Sequence, residues 1–175
     1  MSSLDLVFAP DPILKKTAEK IINIDKITIK LIHDMYDTMY KYNGVGLAAP
    51  QVNYSLQILV IDCSNKDEKN QPKVLINPRI KSFSKDIKLY EEGCLSFPGH
   101  YIEISRPDIV EVNYIDINGK ERIEKFKGFE SVCIQHEIDH LSGTLFVEYI
   151  SRLKRQMVLK KMQKYKKKVE IINEK

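Results

Sequence analysis

Gln135-His136-Glu137-Ile138-Asp139-His140 sets two histidines four residues apart around a glutamate. In a helix that interval is about one turn, so both imidazoles leave the same face. Neutral imidazole ligates divalent transition metals. A carboxylate beside the first histidine reaches water at such a metal without ligating it, which makes Glu137 a candidate general base. The bland alternative is a solvated helix carrying two histidines and two acids by chance. Only four histidines occur in 175 residues, and two of them frame a glutamate in the H-E-x-x-H pattern, so the metal-centre reading is the stronger one. A hydrolytic metal centre has three protein ligands and one open position, and the third ligand must come from elsewhere in the chain.

Around this stretch the pattern predicts a helix from about Phe129 to Leu141, stopped at Gly143. Before it, Ile109–Ile117 and Arg122–Phe126 flank Asn118-Gly119, a hairpin signal of the primed-turn kind. After it, Thr144–Ile150 reads as a short strand, and Leu153, Met157, Met162, Tyr165 and Val169 mark the apolar face of a long amphipathic helix. That tail is basic: nine Lys or Arg and no acid lie between Arg152 and Lys168. With a net charge of +4 for the whole chain, the remainder carries −5.

Further upstream, Glu91-Glu92-Gly93-Cys94-Leu95-Ser96-Phe97-Pro98-Gly99 reads as a loop holding a cysteine 42 residues before His136. On local grounds Cys94 is the best candidate for the third ligand, with a packed loop thiol as the alternative. Val74–Ile80 reads as a strand shortened by Pro78, Ser64–Pro72 as a polar loop, and Ser55–Cys63 as a buried strand with Cys63 as a core or strand-end residue. Gly44-Val45-Gly46-Leu47-Ala48-Ala49-Pro50-Gln51 is too rich in Gly and Ala for a stable strand and reads as a tight connection that something approaches closely. Asp25 to about Tyr42 is a helix by the spacing of Ile27, Leu31, Ile32, Met35 and Met39, with Asp25 as N-cap and His33 on its surface. Residues 4–24 read as an extended arm leading into a short turn or helix.

Composition bounds the rest. The length suits one domain with a real core, and no apolar run approaches membrane-spanning length. The first ten residues carry no Lys or Arg, unlike a signal or transit peptide, which points to the cytoplasm or to a trimmed organellar protein. Three scattered cysteines are not a disulfide framework and suit a reducing compartment.

Taken together, GVGLAAPQ at 44–51, EGCLS at 92–96 and QHEIDH at 135–140 resemble the peptide deformylases in order and spacing, across nearly the whole chain. The resemblance implies an α+β fold. Antiparallel or mixed β-sheets surround a central metal-binding helix, with a C-terminal helix beyond them. It implies a single catalytic domain over residues 1–151 and a basic helix over 152–175. It implies a metal-dependent hydrolase that removes the formyl group from N-terminal formylmethionine of nascent chains. Cys94 joins His136 and His140 as ligands, and Glu137 acts as acid and base. The resemblance also implies that Gln51 and the Leu95 N–H stabilise the oxyanion. By the same resemblance, Val45, Gly46 and Gly93 are expected to meet the substrate, while Tyr90, Phe129, Val132 and Cys133, with Val45, are expected to line the methionine pocket. Glu92 and Arg106 resemble the family's structural ion pair, and Tyr101 stands about where many members carry arginine. Fe(II) is the ion expected, with zinc, nickel or cobalt as substitutes, and the basic helix is a candidate for ribosome docking.

Two rivals use the same residues. A metzincin protease requires a third histidine at position 146, which is Phe146. A closed structural site with His100 as fourth ligand would instead suit a binding module whose basic tail grips nucleic acid.

Overall fold

Asp25 caps the first helix as its place in the sequence requires: its Oδ1 accepts the Thr28 N–H at 2.8 Å. That helix, α1 (Lys26–Lys41), begins an α+β arrangement in a computed structural model that describes residues 3–64 and 70–173. The strands are β1 (Gly46–Ala48), β2 (Ile58–Ile61), β3 (Lys73–Phe83), β4 (Ile87–Gly93), β5 (Tyr101–Pro107), β6 (Ile109–Ile115) and β7 (Glu121–Lys127). Two further helices follow, α2 (Phe129–Leu141) and α3 (Arg152–Asn173). Five strands form one sheet in the order β1-β2-β3-β6-β7, and β4 and β5 form a separate hairpin. Every strand pair among the described residues is antiparallel.

The five-stranded sheet is covered on both faces, which explains the unbroken apolar run Ile58-Leu59-Val60-Ile61 in β2. Leu59 and Ile61 pack with Leu75, Val112, Phe126 and Ile134 of α2. Ile58 and Val60 pack with Leu31, Ile32, Met35 and Met39 of α1. A third cluster joins Phe97, Phe146, Ile104 and Leu14 to Met162 of α3. The C-terminal helix is thereby docked, and the Phe8–Tyr165 edge contact at 5.3 Å and the Lys166–Asp11 ion pair at 2.7 Å hold it further. No described helix is long and apolar enough to cross a membrane.

Four expectations are corrected. Gly46–Ala48 is a strand after all: it is buried and pairs with β2, because tertiary contacts override the poor strand propensity of Gly and Ala. Pro78 does not end β3, which runs to Phe83. Asn77 takes a left-handed φ of 51° and the pairing with β6 shifts register there, a bulge that accommodates the proline. The Asn77 amide also brackets the arm, donating to the Ile21 carbonyl and accepting the Ile21 N–H. Phe146–Tyr149 is a 3-10 helix rather than a strand, with the Glu148 side chain accepting the Leu145 N–H at 3.0 Å. Glu91 to Gly93 belongs to β4, in a hairpin that apolar alternation does not reveal because Ile87 and Leu89 face solvent. The polar loop expected over Ser64–Pro72 lies partly outside the described residues, at 65–69.

Gly143, predicted to stop α2, sits at φ +76°, and a Cβ there would lie 2.5 Å from the Lys15 carbonyl oxygen. Gly143→Ala is expected to lower the melting temperature by roughly 4–8 °C, about 2 kcal/mol from left-handed strain plus a forced backbone shift. Gly119→Ala, with the same φ in open space, should cost less. Equal melting of the two variants would show that the Lys15 contact contributes nothing.

Candidate metal centre

The one-turn spacing in α2 brings the His136 and His140 rings to 5.0 Å between centroids, both buried. Cys94, just past the end of β4, completes the group: its Sγ lies 3.2 Å from His140 Nε2. One ligand atom from each of the three residues falls within 4.8 Å of the others. His100 does not join them. Its Nδ1 lies 3.1 Å from the Pro98 carbonyl, so among the described residues the set has three ligands and an open side, as a catalytic metal site requires.

The donor set fits a divalent transition metal on several counts. A thiol and two imidazoles are borderline-soft donors suited to late first-row ions. Burial disfavours charge on His136, yet its bonds to Cys94 and Glu92 outweigh this and hold its pKa well above the ordinary value, so a metal binding at this ring would release a proton. Burial and the neighbouring His136 drive His140 well below. Two buried side-chain atoms among the described residues find no hydrogen-bond partner, Glu137 Oε2 and His140 Nδ1, and both belong to this site. An unsatisfied carboxylate oxygen is costly in a dry interior unless something polar enters beside it.

Glu137 is buried but is not one of the three clustered ligands. Burial raises its pKa to about 7, where a carboxyl group exchanges protons readily near neutrality. Gly46 makes room for it, since a Cβ at that position would meet Glu137 Oε1 at 2.6 Å. Gln51 is held in place by its own backbone neighbourhood: Oε1 accepts the Ala48 N–H at 2.8 Å. Its Nε2 is thereby aimed at the metal-ligating corner, 3.6 Å from Cys94 Sγ and 3.4 Å from Ser96 Oγ.

A buried ionic lattice stands behind the ligands. His136 Nδ1 donates to Glu92 Oε2 at 2.8 Å, which orients the ring and leaves Nε2 for a metal. Arg106 donates to both Glu92 oxygens, at 2.7 and 3.0 Å, and to Asp139 at 2.7 Å. Tyr149 donates its hydroxyl to Asp139 at 2.8 Å and lies beneath the guanidinium, 4.7 Å from ring centroid to Cζ. The Glu92–Arg106 pair was expected from the family resemblance. The third link to His136, and the parts played by Asp139, Tyr149 and Ser96, were not. A buried arginine needs more than one carboxylate, and the adjacent Asp139 was the available signal.

A cleft of about 630 Å³ opens onto this centre. Val45, Gly46, Gly93, Leu95, Phe129, Val132 and Cys133 line it beside Gln51, Cys94, His136 and Glu137. Tyr101 also lines it, its ring lying over Gly93 so that a Cβ there would be 2.9 Å from Tyr101 Cε1. Tyr90 is not among the lining residues, and its hydroxyl donates to Asp108 at 3.2 Å. The cleft runs between the outer edges of β1 and β4, neither of which has a further strand beside it among the described residues.

The polypeptide deformylase family model matches residues 3–156. Peptide deformylases of Rhizobium meliloti and Brucella suis are 43% and 44% identical over 164 residues, 94% of each chain. The crystal structure of a peptide deformylase from Ehrlichia chaffeensis superposes with a TM-score of 0.90 at 39% identity, covering 95% of this chain and 98% of that one. A peptide deformylase from Acinetobacter baumannii, solved with Met-Ala-Ser bound, superposes with a TM-score of 0.80 at 36% identity, covering 86% of this chain and all of that one.

Proposed function

The chain belongs to the polypeptide deformylase family and removes the formyl group from N-terminal formylmethionine as a metal-dependent hydrolase; we infer that Cys94, His136 and His140 hold its metal. The observation that carries this assignment is the convergence of those three donor atoms beside an unpartnered Glu137 oxygen. A divalent ion bound there supplies Lewis acidity to the formyl oxygen and to water. Fe(II) is the native ion proposed, with zinc, nickel and cobalt suited to the same donors.

The protein's own groups do the remaining work. Glu137 takes a proton from the attacking water and delivers it to the leaving nitrogen, so formate and a free amino terminus are the products. The Gln51 amide and the Leu95 N–H receive the negative charge that develops on the formyl oxygen. The peptide adds as a strand along the open edge of β1, at Val45 and Gly46, with Gly93 on the facing side. Its methionine side chain enters between Val45, Phe129, Val132 and Cys133.

Formate release from formyl-Met-Ala-Ser, with metal content measured on the same anaerobic sample, tests the assignment. Turnover should vanish with a chelator and return with Fe(II) or Ni(II). A fully metallated protein that releases no formate would overturn it.

Residues 1–151 are proposed as the catalytic domain and 152–175 as a basic helix packed on it. A thiolate ligand and unpaired cysteines fit a reducing compartment, and the cytoplasm is the location proposed. The nine positive charges from Arg152 to Lys168 suit an RNA-rich partner such as the ribosome. Changing the exposed Lys160, Lys164 and Lys167 to glutamate should abolish co-sedimentation with ribosomes while formate release persists. Unchanged co-sedimentation would exclude docking through this helix.

A further inference from the structure

Cys63 takes no part in the chemistry above, yet the fold sets it against a wall of the substrate cleft. Along β2, Leu59 and Ile61 face α2, whereas Ile58 and Val60 face α1. Asp62 continues on the α1 side, where it accepts the Tyr40 hydroxyl at 2.6 Å. The two-residue period of an extended chain therefore turns Cys63 toward α2. The pairing of β1 with β2, extended by the Asp62 N–H donating to the Val45 carbonyl at 2.9 Å, keeps this segment beside the cleft entrance. On α2, Cys133 is buried, lines the cleft, and stands one turn before Glu137. The two thiols are neighbours: the proximity of Cys63, together with burial, pushes the Cys133 thiol well up. Cys63 is only partly buried and is the member of the pair that solutes can reach.

We propose that Cys63 and Cys133 form a reversible disulfide on encounter with a low-molecular-weight disulfide such as oxidised glutathione, and that this bond reshapes the methionine pocket. In the first step the Cys63 sulfur attacks the small disulfide. A mixed disulfide forms at Cys63, and one glutathione leaves with the proton given up by Cys63. In the second step the Cys133 sulfur attacks the Cys63 sulfur, the protein disulfide forms, and the second glutathione leaves with the Cys133 proton. Two protein thiols are oxidised by two electrons, and one glutathione disulfide is reduced to two thiols. A disulfide holds its sulfurs at about 2.05 Å, closer than any thiol contact, so Cys133 is drawn toward β2 and away from the cleft. A pocket built to the size of one side chain responds strongly to such a shift, and kcat/KM for a formylmethionyl peptide should fall about tenfold.

The test uses the full-length, metal-loaded enzyme, in which Cys94 is occupied as a ligand. The enzyme is treated anaerobically with oxidised glutathione, free thiols are alkylated, and the peptides are mapped by mass. The expected result is a Cys63–Cys133 linked peptide lacking two hydrogens and free of glutathione, with the drop in kcat/KM reversed by dithiothreitol. Cys63→Ser should match the reduced enzyme and resist the oxidant. A glutathione adduct persisting on Cys63, thiols that stay free, or equal inactivation of Cys63→Ser would overturn the proposal. So would a linked peptide without any change in kcat/KM. The activity arm rests on the deformylase reading, but the peptide map does not: absent formate release from the reduced enzyme would count against that reading alone.

Discussion

Glu137→Gln is expected to abolish formate release while the metal stays bound. Glutamine preserves the shape that fills the space opened by Gly46, and the three clustered donors are untouched because Glu137 is not among them. What is lost is the proton shuttle. The carboxyl is raised to about 7 by burial, so it both accepts a proton from water and returns it to the amine, and an amide does neither. The expected fall in kcat is roughly 10²–10⁴-fold, with metal content equal to wild type on the same sample. A variant that kept a tenth of the wild-type rate would move the proton transfer to another group.

Glu92→Ala should produce the largest loss of stability of any single change near the site. Glu92 receives two bonds from Arg106 and one from His136, and all three side chains are buried. Burial alone would raise its pKa, but the bonds from His136 and Arg106 outweigh that and keep it ionised below the ordinary range. Removing the anion leaves a buried guanidinium with Asp139 as its only charged partner among the described residues. Loss of one member of a buried pair costs about 3–5 kcal/mol, which for a domain of this size is roughly 6–20 °C in melting temperature. The freed His136 ring should also lower metal affinity, by the roughly 10–100-fold typical of a lost supporting partner. Thermal melts and a metal titration check both effects. A variant melting within a degree or two of wild type would mean that Asp139 and Tyr149 suffice to hold Arg106.

How much of this was legible in the chain depended on range. Helices α1 and α2 were readable because capping by Asp25, the spacing of Leu31, Met35 and Met39, and the stop at Gly143 act within a few residues. The β6–β7 hairpin was readable for the same reason, from Asn118-Gly119. The strand at Gly46–Ala48 and the hairpin of β4 with β5 were not. Gly46 extends because β2 pairs with it, and β4 carries its apolar residues toward solvent, so neither announces itself by composition or alternation.

Sequence alone determined which helix carries the two imidazoles and the carboxylate between them, because four residues and one turn are the same distance in any α-helix. It also supplied the chemistry, since donor type is a property of the side chain. Only the tertiary structure decided that Cys94 closes on His140 across 46 positions, that Glu92 links Arg106 to His136, and that Cys63 faces Cys133. Those contacts come from the stacking of α2 on the sheet and from the turn of the chain after β4. Separations of that length carry no local signal, and the packing of the core sets them instead.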